Sequence, residues 1–278
     1  MSNNVLRQFN LSDEEYLNMD EVEFRARFRE RVHHTLEIQT YAAANGDMVL
    51  TENQNDTAKR LVRLWEKRNL SRDLPEYVYA KKLIDFSEKL LKGENLNLSE
   101  FEPYKLSDED INIFFKVIKE RRSVRHFKED RVPDGLIDKI LESGLWAAHS
   151  CNLQSIKYLV VREETTPGLF KGSDVPGGPV HLVVLQDERV YRANPLNPVR
   201  NRLIDVGAAA QNMVLAAHAL GLGGVWLTFN DAMIDRISKF FSLPEYIKLV
   251  TYVDIGYPNQ TPYAPQRKTL DEAVIARV

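Results

Sequence analysis

Near residue 106 the spacing of apolar side chains changes, and this constrains the fold more than any single motif. Before it, apolar residues recur at helical intervals inside strongly charged segments. Val22, Phe24, Phe28, Val32, Leu36 and Ile38 run through Glu21 to Tyr41, and Tyr77, Leu83, Ile84, Phe86, Leu90 and Leu91 follow Pro75. Ser12 followed by Asp13, Glu14 and Glu15 reads as a helix start, because a hydroxyl can accept an orphan backbone N–H and acids suit the positive end of the helix dipole. Gly93 closes the helix that Pro75 opens, and 93–99 reads as a linker. After residue 106, short β-branched runs at 158–161, 180–185, 225–228 and 249–255 alternate with helical patterns at 107–118, from Val132 onward, at 200–220 and at 231–241. Helices interleaved with buried strands give an α/β or α+β sandwich. The alanines at 208–210, 216, 217 and 219 let another helix approach closely, which places the 200–220 helix in the core or at a subunit interface.

Charge and composition exclude several function classes. Against 37 basic residues stand 40 acidic ones, a net charge of -3, so no global field attracts nucleic acid or an anionic membrane. No apolar run reaches the roughly 18 residues a spanning helix needs, and the first residues lack the basic and apolar regions of a secretory leader. A cytoplasmic protein with no membrane or nucleic-acid partner is the expectation. The single cysteine, Cys151, rules out an intrachain disulfide and any metal cluster needing several thiolates.

Four local features carry chemistry. Arg121-Arg122-Ser123-Val124-Arg125 follows a predicted helix, where guanidinium forks and a hydroxyl can hold phosphate oxygens or merely complement the helix C-terminus. His149-Ser150-Cys151-Asn152-Leu153-Gln154 lies between a helix and a strand, suiting either a heteroaromatic edge or an ordinary capped turn. Asp205-Val-Gly207-Ala-Ala-Ala-Gln211-Asn212 precedes Leu220-Gly-Leu-Gly-Gly-Val-Trp226, whose glycines lack the dinucleotide spacing and turn helix into strand. Gly256-Tyr257-Pro258 leads to Arg267-Lys268, a second phosphate-compatible pair.

In this order, R-R-S-V-R, W-A-A followed by N-L-Q, D-x-G-A-A-A-Q-N with L-A-A-H-A-L-G-L-G, then G-Y-P and R-K-x-L, the motifs resemble the FMN-dependent nitroreductase family from about Ile118 to Val274. The resemblance implies an α+β fold, a three-layer α/β/α sandwich, as an FMN-binding domain over residues 106–278. Residues 1–105 then form a helical extension, a lid over the flavin or a segment wrapping a dimer. It further implies a homodimer with FMN at the subunit interface, reduced by NADH or NADPH, that passes electrons to an electron-poor small molecule such as a nitroaromatic or quinone.

By the same likeness, Arg121, Arg122, Ser123 and Arg125 bind the FMN phosphate, ribityl chain and pyrimidine side, with Arg267 closing on the phosphate and Lys268 beside it. Asn152 and Gln154 match the family's asparagine and glutamine, and His149 and Ser150 fall where members contact the partner subunit's flavin. Trp226, Leu227 and Thr228 pass the reactive part of the ring. Asp205, Gly207 and Gln211 serve helix packing in the dimer. The chemistry is centred on flavin, so no catalytic side chain is required, although His149 stands where the family's proline is usual and is a candidate proton donor. Cys151 is expected to be a bystander thiol. Competing readings are a flavin-dependent dehydrogenase or oxidase of a small metabolite and a flavin-binding sensor or interaction module.

Overall fold

The computed structural model of the chain describes residue 9 and residues 11–173 and 175–278, so most of the stretch inspected for a leader lies outside the described residues. The amino-terminal helices are α1 (Asp13–Asn18), α2 (Glu21–Val32), α3 (Ile38–Ala44), α4 (Glu52–Lys67) and α5 (Pro75–Leu91). Ser12 caps α1 reciprocally with Glu15, as the sequence indicates. Between α2 and α3 the chain winds as a π-helical turn, His33–Glu37. The apolar faces close around Trp65, whose ring centroid lies 4.8 Å from that of Phe28 and 6.0 Å from that of Phe24. Its indole N–H donates to the Ser71 carbonyl at 3.0 Å, so this core is dry and still satisfied.

The remainder comprises α6 (Asp108–Glu120), α7 (Asp134–Leu145), β1 (Ile156–Arg162), β2 (Val180–Asp187), α8 (Val199–Ala219), β3 (Gly223–Leu227), α9 (Asp231–Phe240), β4 (Ile247–Gly256) and α10 (Leu270–Ala273). The four strands form one antiparallel sheet in the order β1-β2-β4-β3. Every residue of β2 is buried, because both faces of the sheet are covered. On one face α7 and α8 contribute Ile137, Ile140, Ala209 and Met213 against Leu182, Val184 and Val253. On the other, Met233 and Ile237 of α9 join Leu169 and Phe170 against Val183 and Tyr252. The result is the α/β/α sandwich. Thr228 lies just beyond β3, which begins two residues earlier and ends one earlier than its β-branched run suggests.

Helix α2 seats the extension on this sandwich. Ala26 is buried with Leu153, Val190, Tyr191 and Ala193. Around that contact Arg189 pairs with Asp20 at 3.0 Å, Arg192 with Glu23 at 3.1 Å, and Arg29 donates to the Leu153 carbonyl at 2.9 Å. Among the described residues, no helix is long and apolar enough to cross a membrane.

Candidate functional site

Arg121 ends α6, and the segment after it lies along the edge of β3. Val124 N–H donates to the Gly224 carbonyl at 3.2 Å. Gly223 makes this approach possible, since a Cβ there would stand 2.8 Å from Val124 side-chain atoms. Arg121 is thereby half-buried, and its guanidinium pKa is pushed down, first by desolvation and then by the charges of Arg267 and Arg122. Arg267 thus lies near enough to Arg121 for its charge to be felt there. Among the described residues, Arg121, Arg122, Arg125 and Arg267 have no carboxylate partner. Among the described residues the guanidiniums of Arg122 and Arg125 donate to backbone carbonyls, Arg122 to those of Lys119 at 2.7 Å and Arg121 at 3.0 Å and Arg125 to that of Ser123 at 3.4 Å. Lys268 is exposed beside them. Like charges held together without a counter-ion are what a dianionic phosphate would neutralise.

The turn at 149–154 is the second half of the site. Ser150–Asn152 forms a 3₁₀ turn in which Cys151 and Asn152 have φ of +53° and +50°, with Gln154 at +56°. Left-handed backbone at three non-glycine residues is strained, and a set of hydrogen bonds holds it. Ser150 N–H donates to Asp205 Oδ1 at 2.9 Å, Asn201 donates to Ser150 Oγ at 2.9 Å, and Gln154 donates to Asn152 Oδ1 at 3.0 Å. His149 Nδ1 lies 2.8 Å from the Ala147 carbonyl. A carbonyl only accepts, so Nδ1 donates this bond; Nε2 is buried without a partner among the described residues.

Asp205 therefore has a local task that a helix-packing role did not foresee. Burial pushes its carboxyl pKa up, and its Oδ2 is also unpartnered. Asn197 and Asn201, equally unread in the sequence, buttress Ser150; their signal is the run N-P-L-N-P-x-x-N before α8. Trp226 is half exposed, its N–H donates to Thr251 Oγ1 at 2.5 Å, and the missing side chain of Gly207 leaves room beside its ring. Leu227 packs into the core on the α9 side, and Thr228 is exposed. Among the described residues no hydrogen bond or ion pair joins the arginine segment to the 149–154 turn.

A further cluster escaped the sequence reading. His181 of β2 faces Asp254 of β4 across the ladder, with Nδ1 2.5 Å from Oδ1, and its Nε2 lies 3.3 Å from Glu163. Phe170 stacks on the imidazole at 3.9 Å. These residues line a cleft of about 640 Å³ that shares only Arg125 with the set above.

The nitroreductase family model matches residues 118–171 and 168–257, just over half the chain. The chain belongs to the nitroreductase family. A Methanothermobacter thermautotrophicus protein assigned as an NADH dehydrogenase/NAD(P)H nitroreductase is 31% identical over 154 residues, covering 53% of this chain and 78% of that one. The NADPH-flavin oxidoreductase of Vibrio harveyi is 26% identical over 171 residues, 56% of this chain and 70% of its own. Among solved structures, a protein from Desulfovibrio desulfuricans assigned as a nitroreductase and crystallised with FMN superposes with a TM-score of 0.51 at 28% identity, covering 59% of this chain and 96% of that one. None of these covers more than about three-fifths of this chain.

Proposed function

We propose that this nitroreductase is an FMN-dependent NAD(P)H oxidoreductase that reduces electron-poor small molecules in turn with nicotinamide oxidation. The observation that carries the reading is the group of guanidiniums at Arg121, Arg122, Arg125 and Arg267 with no carboxylate among them. FMN fits this set: Arg121, Ser123 and Arg267 would hold its phosphate, and Arg125 would stand by the pyrimidine side, where a fixed positive charge favours added electrons. Bound FMN supplies the two-electron chemistry between nicotinamide and acceptor. The chain's own groups bind and orient. Trp226, Leu227 and Thr228 would border the ring, Asn152 and Gln154 would offer amides to it, and His149 and Ser150 would stand beside it.

A homodimer completes the site in this reading, because each subunit supplies one of the two halves. Three apolar surfaces support it. Helix α6 buries none of its residues although Ile113, Phe114 and Phe115 are 54%, 54% and 48% exposed. Helix α8 exposes Val199, Leu203 and Ile204, and the carboxy-terminal segment exposes Tyr263 and Leu270. Exposed apolar side chains on three elements suit a subunit interface. The setting is the cytoplasm. Purified protein carries a yellow flavin that anaerobic NADH or NADPH bleaches, and an added nitroaromatic or quinone restores the colour. A colourless protein that cannot be reconstituted with FMN, or one whose flavin resists both nucleotides, defeats the proposal.

A further inference from the structure

Where α2 meets β1, the extension and the sandwich together enclose a cavity of about 260 Å³. Its walls are of two kinds. Val22, Leu145 and Val190 present apolar surface, while Arg25 and Arg29 of α2 and Lys157 of β1 present cations. Glu76 answers both arginines, 2.7 Å from Arg25 Nε and 3.2 Å from Arg29 Nη1, and the more exposed Glu21 lies 3.7 Å from Arg25. Two carboxylates against three cations leave one positive charge over. Lys157 carries it: it is exposed and has no ion-pair partner among the described residues. His149 and Gln154 complete the lining, so the cavity opens against the turn that the proposed function sets beside flavin.

We propose that this cavity binds the carboxylate of a single-ring aromatic acid, and that such an acid bearing a nitro group, the group that is reduced, is the acceptor for which the extension selects. The volume falls below the roughly 300 Å³ at which sites for drug-sized ligands begin, which suits one ring and excludes a dinucleotide. An apolar wall facing a cationic edge matches a molecule with a flat apolar body and one anionic end. Arg25 and Arg29 come from the extension and Lys157 from the sandwich, so specificity here is a joint product of the two. As a statement about the acceptor, the proposal rests on the flavin reading; as a statement about binding, it does not.

The test has two arms. Calorimetry on the chain as purified compares benzoate with benzyl alcohol, in the unaltered protein and in Lys157→Glu and Arg25→Gln. Benzoate binds the unaltered protein at least about tenfold more tightly than the alcohol, and each variant lowers that preference about tenfold, the size of one charge-assisted contact. Because Lys157 is exposed and unpaired, its replacement leaves the fold intact even should Arg25→Gln disturb Glu76. In the flavin-loaded enzyme, kcat/KM for 4-nitrobenzoate relative to 4-nitrobenzyl alcohol falls by a similar factor in both variants. Equal affinity for benzoate and benzyl alcohol, or an unaltered preference in Lys157→Glu, overturns the binding site. Benzoate binding with the expected variant effects but an unaltered kcat/KM ratio overturns its role in acceptor selection. A protein that takes no FMN loses only the turnover arm and with it the proposed function, while calorimetry still decides the cavity.

Discussion

Replacing Arg267 by alanine should move the FMN-free and FMN-bound proteins in opposite directions. Without the cofactor, Arg267 adds a like charge to a guanidinium already deprived of solvent, since burial and then the charges of Arg267 and Arg122 depress Arg121. Arg267 is exposed and Arg121 only half-buried, so water screens the repulsion to a fraction of a kcal/mol. The FMN-free variant should thus unfold at the same temperature as the parent or slightly above it, with the gain fading as salt is raised. With FMN bound the sign reverses, because one charge-assisted contact to the phosphate disappears. That contact is worth about 1.5 to 3 kcal/mol, or about 10- to 150-fold in Kd. Quenching of flavin fluorescence on titration with protein measures the affinity, and thermal unfolding of the FMN-free form measures the other side. An FMN affinity within about twofold of the parent, or an FMN-free variant clearly less stable than the parent, would refute the reasoning that these arginines await a phosphate.

Gly256→Ala should cost about 1 to 3 kcal/mol in denaturant unfolding, because the new Cβ would lie 2.8 Å from the Pro179 ring and 2.9 Å from the Phe127 ring, neither of which yields easily; an unchanged midpoint would show that the loop before β2 is looser than described. Asp205→Asn keeps an acceptor for the Ser150 N–H and removes a carboxyl whose pKa burial raises. A raised acid pKa means the folded state holds its proton more tightly than the unfolded one, so ionisation erodes stability as pH climbs through that value. The variant should therefore be the more stable protein at neutral pH and lose its advantage below about pH 4, where both states of the parent are protonated; the opposite trend in denaturant unfolding across pH would contradict the assignment. Cys151→Ser should retain turnover, since the hydroxyl can still accept from Asn194, which donates to the sulfur at 3.3 Å; lost activity with FMN still bound would give the thiol a part in the chemistry.

What the sequence disclosed and what it hid separate along physical lines. The strands and the cap at Ser12 were legible because period and capping are local properties. Helix α4 was not read, although Ala58, Leu61, Val62 and Trp65 mark its buried face: Thr51 makes no side-chain cap, and charged residues fill the gaps between them. The arginines were conspicuous because a globular core has no use for three like charges within five residues. The pairing of His181 with Asp254 could not be seen at all, since it depends on the β2–β4 register, 73 residues apart, and each residue alone reads as a polar interruption in an apolar strand. Asp205 was misjudged for a related reason. On a helix of small residues it resembles a packing position, and only the fold shows that its oxygen meets the Ser150 N–H.

The docking of the extension bears on whether it is a lid. A backbone held left-handed at Cys151, Asn152 and Gln154 costs of order 1 kcal/mol or more at each residue, so the surroundings must over-determine it. Asp205, Asn197 and Asn201 do so from α8 and the segment before it, but Leu153, at the centre of the turn, is fixed by Arg29 from 124 residues away. Swinging α2 away would break that bond, the Arg189–Asp20 and Arg192–Glu23 pairs and the bond from Asn194 to Glu30, and would expose Ala26, Leu153 and Tyr191 to water. It would also release the strain, letting the turn relax out of the geometry in which His149 and Gln154 line the smaller cavity. A lid must open at small cost, whereas this contact becomes more expensive to open because the strained turn depends on it. We therefore propose that the extension is a brace: it spends its contacts holding one half of the proposed flavin site in shape, and any movement that admits substrate belongs to parts of the protein outside this contact.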